Sequence, residues 1–188
     1  MKTKIHKLLE NCPIITAVKD QKGLERCLES ESKIVFVLFG DVCTIADIVK
    51  RIKESGRVAM VHLDLISGLS NKEISVDYIK EYTLADGIIT TKPPLIKRAK
   101  SLDLFTVLRL FVIDSMAFQN VEKLGSAVKP DLIEILPGVM PKVIQKICKL
   151  TRIPIIAGGL IQDKEDVMNA LSAGAISISS TDESVWFL

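Results

Sequence analysis

The chain has 188 residues, 48% of them apolar and 26% charged, and its 25 basic and 23 acidic residues leave a formal net charge of +2. That length suits one domain over residues 1–188, burying roughly two thirds of its unfolded surface, so neither disulfide nor metal is needed to hold a core. The near balance of charge excludes a globally basic nucleic-acid binder, and any RNA contact has to be local.

Residues 1–11 are basic with helical spacing at Ile5, Leu8 and Leu9, which predicts an extra N-terminal helix rather than a secretory signal. Eight apolar, β-branched runs follow, at 14–19, 33–39, 58–66, 87–91, 106–114, 132–136, 154–157 and 175–179. They are nearly continuous rather than alternating, as strands buried on both faces are, and parallel pairing is implied. Helical spacing separates them: Ile45, Ile48, Val49 and Ile52 after the second run, Val143, Ile147 and Leu150 after the sixth, Val167, Ala170 and Leu171 after the seventh. Asp163 and Asp166 mark a helix start, and Gly56 and Gly174 mark helix ends.

Strict alternation leaves an open doubly wound sheet or a closed barrel, and the count of eight favours an α/β, compact (β/α)8 TIM barrel. Eight units in 188 residues are short against a usual barrel of about 250. The last helix is therefore truncated: only residues 181–188 follow the eighth strand, and Trp186, Phe187 and Leu188 are expected to cover strands one and eight. The longest apolar run, 34–39, falls far below the roughly 18 residues of a membrane span, so no membrane is expected. Cys12, Cys27, Cys43 and Cys148 form no CxxC pair and share only two histidines, which argues against a metal site and for a reducing cytoplasm.

Ionisable groups inside such strands are informative, and they fall at C-terminal ends, where barrels place their ligands. His62 with Asp64, Thr90 with Lys92, and Arg109 with Phe111 are two apart and share a face if the strands continue. With Glu134 they would gather two carboxylates, an imidazole, an ammonium and a guanidinium at one barrel end. Lys19, Asp20, Asp41, Asp114 and Ser115 lie just beyond strand ends. Arg109 with Glu134 also reads as a plain interior ion pair, and His62 as a core histidine. Gly158 and Gly159 end the seventh strand, and Ser179, Ser180 and Thr181 the eighth. Many barrels bind a phosphate there on backbone N–H groups, so Gly158, Gly159, Ser179 and Ser180 form a candidate phosphate cradle, against the alternative of a simple turn.

Several segments taken in order resemble the glycerol-3-phosphate-responsive antiterminators, also called glycerol uptake operon antiterminator regulatory proteins. They are 15–19 (ITAVK), 62–69 (HLDLISGL), 86–92 (DGIITTK), 109–115 (RLFVIDS), 134–138 (EILPG), 141–144 (PKVI) and 154–161 (PIIAGGLI), covering nearly the whole chain. Thr90 stands where the family has serine, and the run 177–181 departs slightly from its Ser-Thr-Ser pattern. The resemblance implies a barrel that senses glycerol 3-phosphate, acts on leader mRNA of glycerol-catabolic genes by antitermination and transcript stabilisation, and catalyses nothing. The polar residues at the strand ends fit such a ligand, with the phosphate on the glycine and serine cradle and the glycerol moiety or pocket formed by Lys19, His62, Asp64, Lys92, Arg109 and Glu134; no cofactor is expected. The movable element is expected in the loops 41–44 and 67–74.

For RNA, Lys142, Lys146 and Lys149 share one helix face with Arg152 following, and Lys97, Arg98 and Lys100 lie after strand four, although a solvated helix face is the plainer reading and the RNA role rests on the resemblance. Nine aromatic residues give few stacking platforms. A homodimer is an expectation from the reduced last helix. The competing reading is a small phosphosugar aldolase or isomerase, with His62 or Glu134 as acid or base and Lys92 as Schiff-base amine.

Overall fold

Strands apolar on both faces need helices outside and side chains within, and a closed barrel supplies both without leaving an edge. A computed structural model describes residues 2–188. Its strands are β1 (Ile14–Val18), β2 (Ile34–Val37), β3 (Val58–His62), β4 (Gly87–Thr90), β5 (Phe105–Phe111), β6 (Leu132–Leu136), β7 (Ile155–Gly158) and β8 (Ser177–Ser180). All pair parallel in chain order, and β8 closes on β1. The helices are α1 (Lys2–Asn11), ahead of the barrel, then α2 (Gln21–Cys27), α3 (Ile45–Glu54), α4 (Glu73–Tyr82), α5 (Pro93–Ser101), α6 (Ser115–Val128), α7 (Pro141–Leu150) and α8 (Lys164–Ser172). The protein is thus a (β/α)8 TIM barrel, with a 3-10 helix, Glu183–Phe187, in place of the last full helix.

Alternate residues of the strands fill the interior: Ile15 and Ala17, Ile34 and Phe36, Met60, Ile89, Val107, Leu132 and Ile156 share one cluster. Ile5 and Leu9 of α1 belong to it and seal the end where the strands begin, each contributing about 1.5–3 kcal/mol by burial. The opposite strand faces pack under the helices in separate clusters. Several residues just beyond strand ends serve as helix caps: Asp20 accepts from Gly23 N at 2.7 Å, Asp114 from Ala117 N at 2.7 Å and Asp163 from Asp166 N at 2.9 Å. Pro93 and Pro141 open α5 and α7, where a missing N–H costs nothing.

Four expectations change. The third strand stops at His62, and Leu63–Leu65 forms a 3-10 turn, so Asp64 does not share the face of His62. The fifth stops at Phe111, which frees Asp114 to cap α6. On α7 the buried residues are Ile144 and Ile147, whereas Leu150 is exposed because the helix turns a neighbouring face to the barrel. At the C-terminus only Trp186, with Val185, is buried, while Phe187 and Leu188 are exposed. Trp186 Nε1 donates to the Ser180 carbonyl at 2.8 Å, and Phe187 lies under the Arg26 guanidinium, 4.4 Å from it. All four cysteines are free, and among the described residues no helix could cross a membrane and no His, Cys, Asp and Glu group could hold a metal ion.

Candidate functional site

Inward alternation carries His62, two beyond Met60, Arg109, two beyond Val107, and Glu134, two beyond Leu132, into the upper barrel, with Gly158 two beyond Ile156. Arg109 and Glu134 are Cα partners in the β5–β6 register, and Gly158 and Ser179 in the β7–β8 register. Glu134 is 0% exposed and Arg109 7%. Arg109 Nε donates to Glu134 Oε2 at 2.5 Å, and Ser179 Oγ donates to Glu134 Oε1 at 2.5 Å. Gly158 makes this approach possible, because a Cβ there would lie 2.5 Å from Glu134 Oε1 and 2.7 Å from Ser179 Oγ.

Above this group opens a cavity of about 520 Å³, lined from the cradle and pocket residues by Lys19, Arg109, Glu134, Gly159, Ser179 and Ser180. That volume is in the range of small-molecule sites. Among the described residues no hydrogen bond engages the Nη atoms of Arg109, so a planar donor fork is offered by a guanidinium whose orientation the buried carboxylate sets. A buried pair of this kind adds little stability, and its geometry is what it specifies. Gly159 at φ +75° and Leu160 at φ +63° turn the chain sharply out of β7, bringing backbone to the cavity wall. The hydroxyl protons of the cradle are directed inward: that of Ser179 to Glu134, and that of Ser180 to the Ile161 carbonyl at 2.7 Å.

The remaining candidates stand outside the cavity lining. His62 is buried, with Nδ1 unpartnered; burial first and the Arg109 charge second push its pKa down to about 4, against a smaller opposing pull from Asp64, so the ring is neutral at pH 7. Asp64 accepts from Thr90 Oγ1 at 2.6 Å, Thr91 N at 2.8 Å and Thr91 Oγ1 at 2.6 Å. Burial raises its pKa, but these hydrogen bonds prevail and hold the carboxyl below its usual value. Lys92 is exposed at the start of α5, beyond the end of β4 at Thr90. The loops 41–44 and 67–74 do not line the cavity either; Val42 N donates to Ser67 O, and Ser67 N to Gly40 O, both at 3.0 Å, tying the two loops together.

The sequence reading missed Leu136, Gln162, Asp182 and Glu183, which also line the cavity. The signal was positional: Asp182 and Glu183 directly follow the Ser-Ser-Thr run, on the end of the barrel already singled out. Hydrogen bonds from the Ser184 hydroxyl and N–H keep the Asp182 carboxyl below its ordinary pKa, helped by the Lys19 charge. The cavity therefore has the Arg109–Glu134 ion pair at its floor and an acidic rim.

Residues 14–186 match the model of the family described as glycerol-3-phosphate responsive antiterminator. The chain is 46% identical over 184 residues to the uncharacterised protein YgcP of Escherichia coli K12, covering 98% of this chain and 96% of YgcP. It is 35% identical to the crystal structure of a glycerol uptake operon antiterminator regulatory protein from Listeria monocytogenes, with TM-score 0.90 over 94% of this chain and 95% of that one. A glycerol uptake operon antiterminator-related protein from Thermotoga maritima is 30% identical, with TM-score 0.82 over 92% and 96%. The barrel and its motifs thus belong together, and the chain is a member of the glycerol-3-phosphate responsive antiterminator family.

Proposed function

We propose that this protein senses glycerol 3-phosphate in the cavity above Arg109 and acts in the cytoplasm on leader mRNA of glycerol-catabolic genes, promoting antitermination and stabilising the transcript. The observation that carries the ligand reading is the Arg109 fork, set by buried Glu134 and open to a cavity that also holds Lys19. A phosphate dianion matches two cationic groups beside the backbone turn at Gly159. The glycerol hydroxyls face the acidic rim at Asp182 and Glu183. Gly158 acts by making room for Glu134, Ser179 orients that carboxylate and Ser180 shapes the wall. His62 lies buried near the Arg109 charge, and His62, Asp64 and Lys92 stand outside the cavity lining.

The reading without catalysis gains from the same geometry. The competing aldolase reading takes Lys92 as its Schiff-base amine, and that residue does not line the cavity. For RNA, Lys142, Lys146 and Lys149 are exposed on α7, and among the described residues none is in an ion pair. Arg98, by contrast, is held by Asp77 at 2.7 Å, and Lys100 Nζ donates to the Lys129 carbonyl. The test is transcription through the leader terminator in vitro. Readthrough is expected only with both protein and glycerol 3-phosphate, and Lys142, Lys146 and Lys149 changed together to Ala should abolish it and flatten the salt dependence of RNA binding. Absence of leader RNA binding at low salt, with and without ligand, refutes the proposal.

A further inference from the structure

The outward face of a barrel helix is normally polar, as on α3, where Asp47, Lys50, Arg51 and Glu54 lie outside the buried row Ile45, Ile48, Val49 and Ile52. Helix α4 departs from this. Ile74 is 65% exposed and Tyr82 66%, with Leu84 just beyond the helix at 62%. Ile74, Tyr78 and Tyr82 are spaced i, i+4 and i+8 and make one ridge along the helix. The ridge is rigid, since the Tyr78 and Tyr82 rings lie 5.2 Å apart and the Tyr78 hydroxyl donates to the Val42 carbonyl. A groove of about 420 Å³ runs beside it, bounded by Arg98 of α5 and by Leu102 just beyond that helix.

We infer that this face binds a second copy of the chain, α4 against α4, about a two-fold axis near Tyr78. A two-fold contact requires a surface complementary to itself, and this one is so in shape and in charge. The i, i+4, i+8 ridge of one copy fits the groove of the other, as rows of this spacing interdigitate. Glu73 begins the helix and Lys80 lies in its last turn, both exposed and, among the described residues, without an ion-pair partner. When two copies of α4 cross head to tail, Lys80 of each comes to the acidic first half of the other. The reduced last helix is not the contact, because Val185 and Trp186 already close that gap.

Analytical ultracentrifugation of the full chain, from about 1 µM to about 1 mM, tests this. A concentration-dependent dimer is expected. Ile74→Glu, which would bury a charge in the contact, should raise the dissociation constant more than about 100-fold. Lys80→Glu should weaken the dimer by about 5-fold, and the swap Glu73→Lys with Lys80→Glu should restore it, a rescue that misfolding cannot produce. A chain that is monomeric throughout, a dimer that survives Ile74→Glu, or a swap that fails to rescue overturns the inference; a monomer would leave the ridge to a different protein.

Discussion

Replacing Glu134 separates a structural ion pair from a ligand-orienting one. Glu134→Met leaves Arg109 without a counter-charge and Ser179 Oγ without its acceptor. Loss of one partner of a buried pair costs about 3–5 kcal/mol, and the lower value applies because the Nη atoms of Arg109 face a water-accessible cavity. The orphaned serine adds about 1 kcal/mol, for a total near 4 kcal/mol. With a urea m-value near 3 kcal/mol/M, the midpoint should fall by about 1.3 M. The double variant Arg109→Met with Glu134→Met removes both charges from the interior and should return to within about 1 kcal/mol of the wild type. Calorimetric titration with glycerol 3-phosphate completes the assay: the restored double variant should fail to bind. A double variant that is stable and still binds ligand refutes the assignment of Arg109 as the anion seat, and a single variant as stable as wild type refutes the burial argument.

Three further outcomes follow from the same geometry. Gly158→Ala should destabilise the fold by about 1–3 kcal/mol in urea unfolding and weaken ligand binding, since its Cβ would displace Glu134 or Ser179; unchanged stability would show that the contacts relax freely. His62 titrates at about 4 in the fold against 6.5 ordinarily, so the unfolded chain holds more protons between those values and stability should fall by up to about 3 kcal/mol as pH drops from 6.5 to 4. His62→Gln should flatten that slope, and an unaltered slope assigns it elsewhere. Trp186→Phe keeps an aromatic ring packed against α2 and β1 but removes the bond to the Ser180 carbonyl, and should cost about 1 kcal/mol or somewhat more by thermal unfolding.

Much of the barrel could be read locally. Burial on both faces shows as a continuous apolar run wherever it occurs, so eight strands and their parallel pairing are visible without knowing what touches what. The polar residues inside those runs stand out for the same reason, and Arg109, Glu134, Ser179 and Gly159 do meet at one cavity. What the amino-acid order leaves open is where each strand stops. Side chains alternate only while the ladder lasts, and its length is decided by hydrogen bonding to neighbouring strands far away in the chain. A 3-10 turn after His62 therefore carries Asp64 to the hydroxyls of Thr90 and Thr91, and the end of β4 at Thr90 leaves Lys92 exposed at the start of α5. Tertiary contact likewise chose Trp186 over Phe187 as the plug and brought Asp182 and Glu183 to the rim. The sequence by itself determined a barrel with a charged upper end; only the closed sheet, through register and strand length, decided which charges face one another.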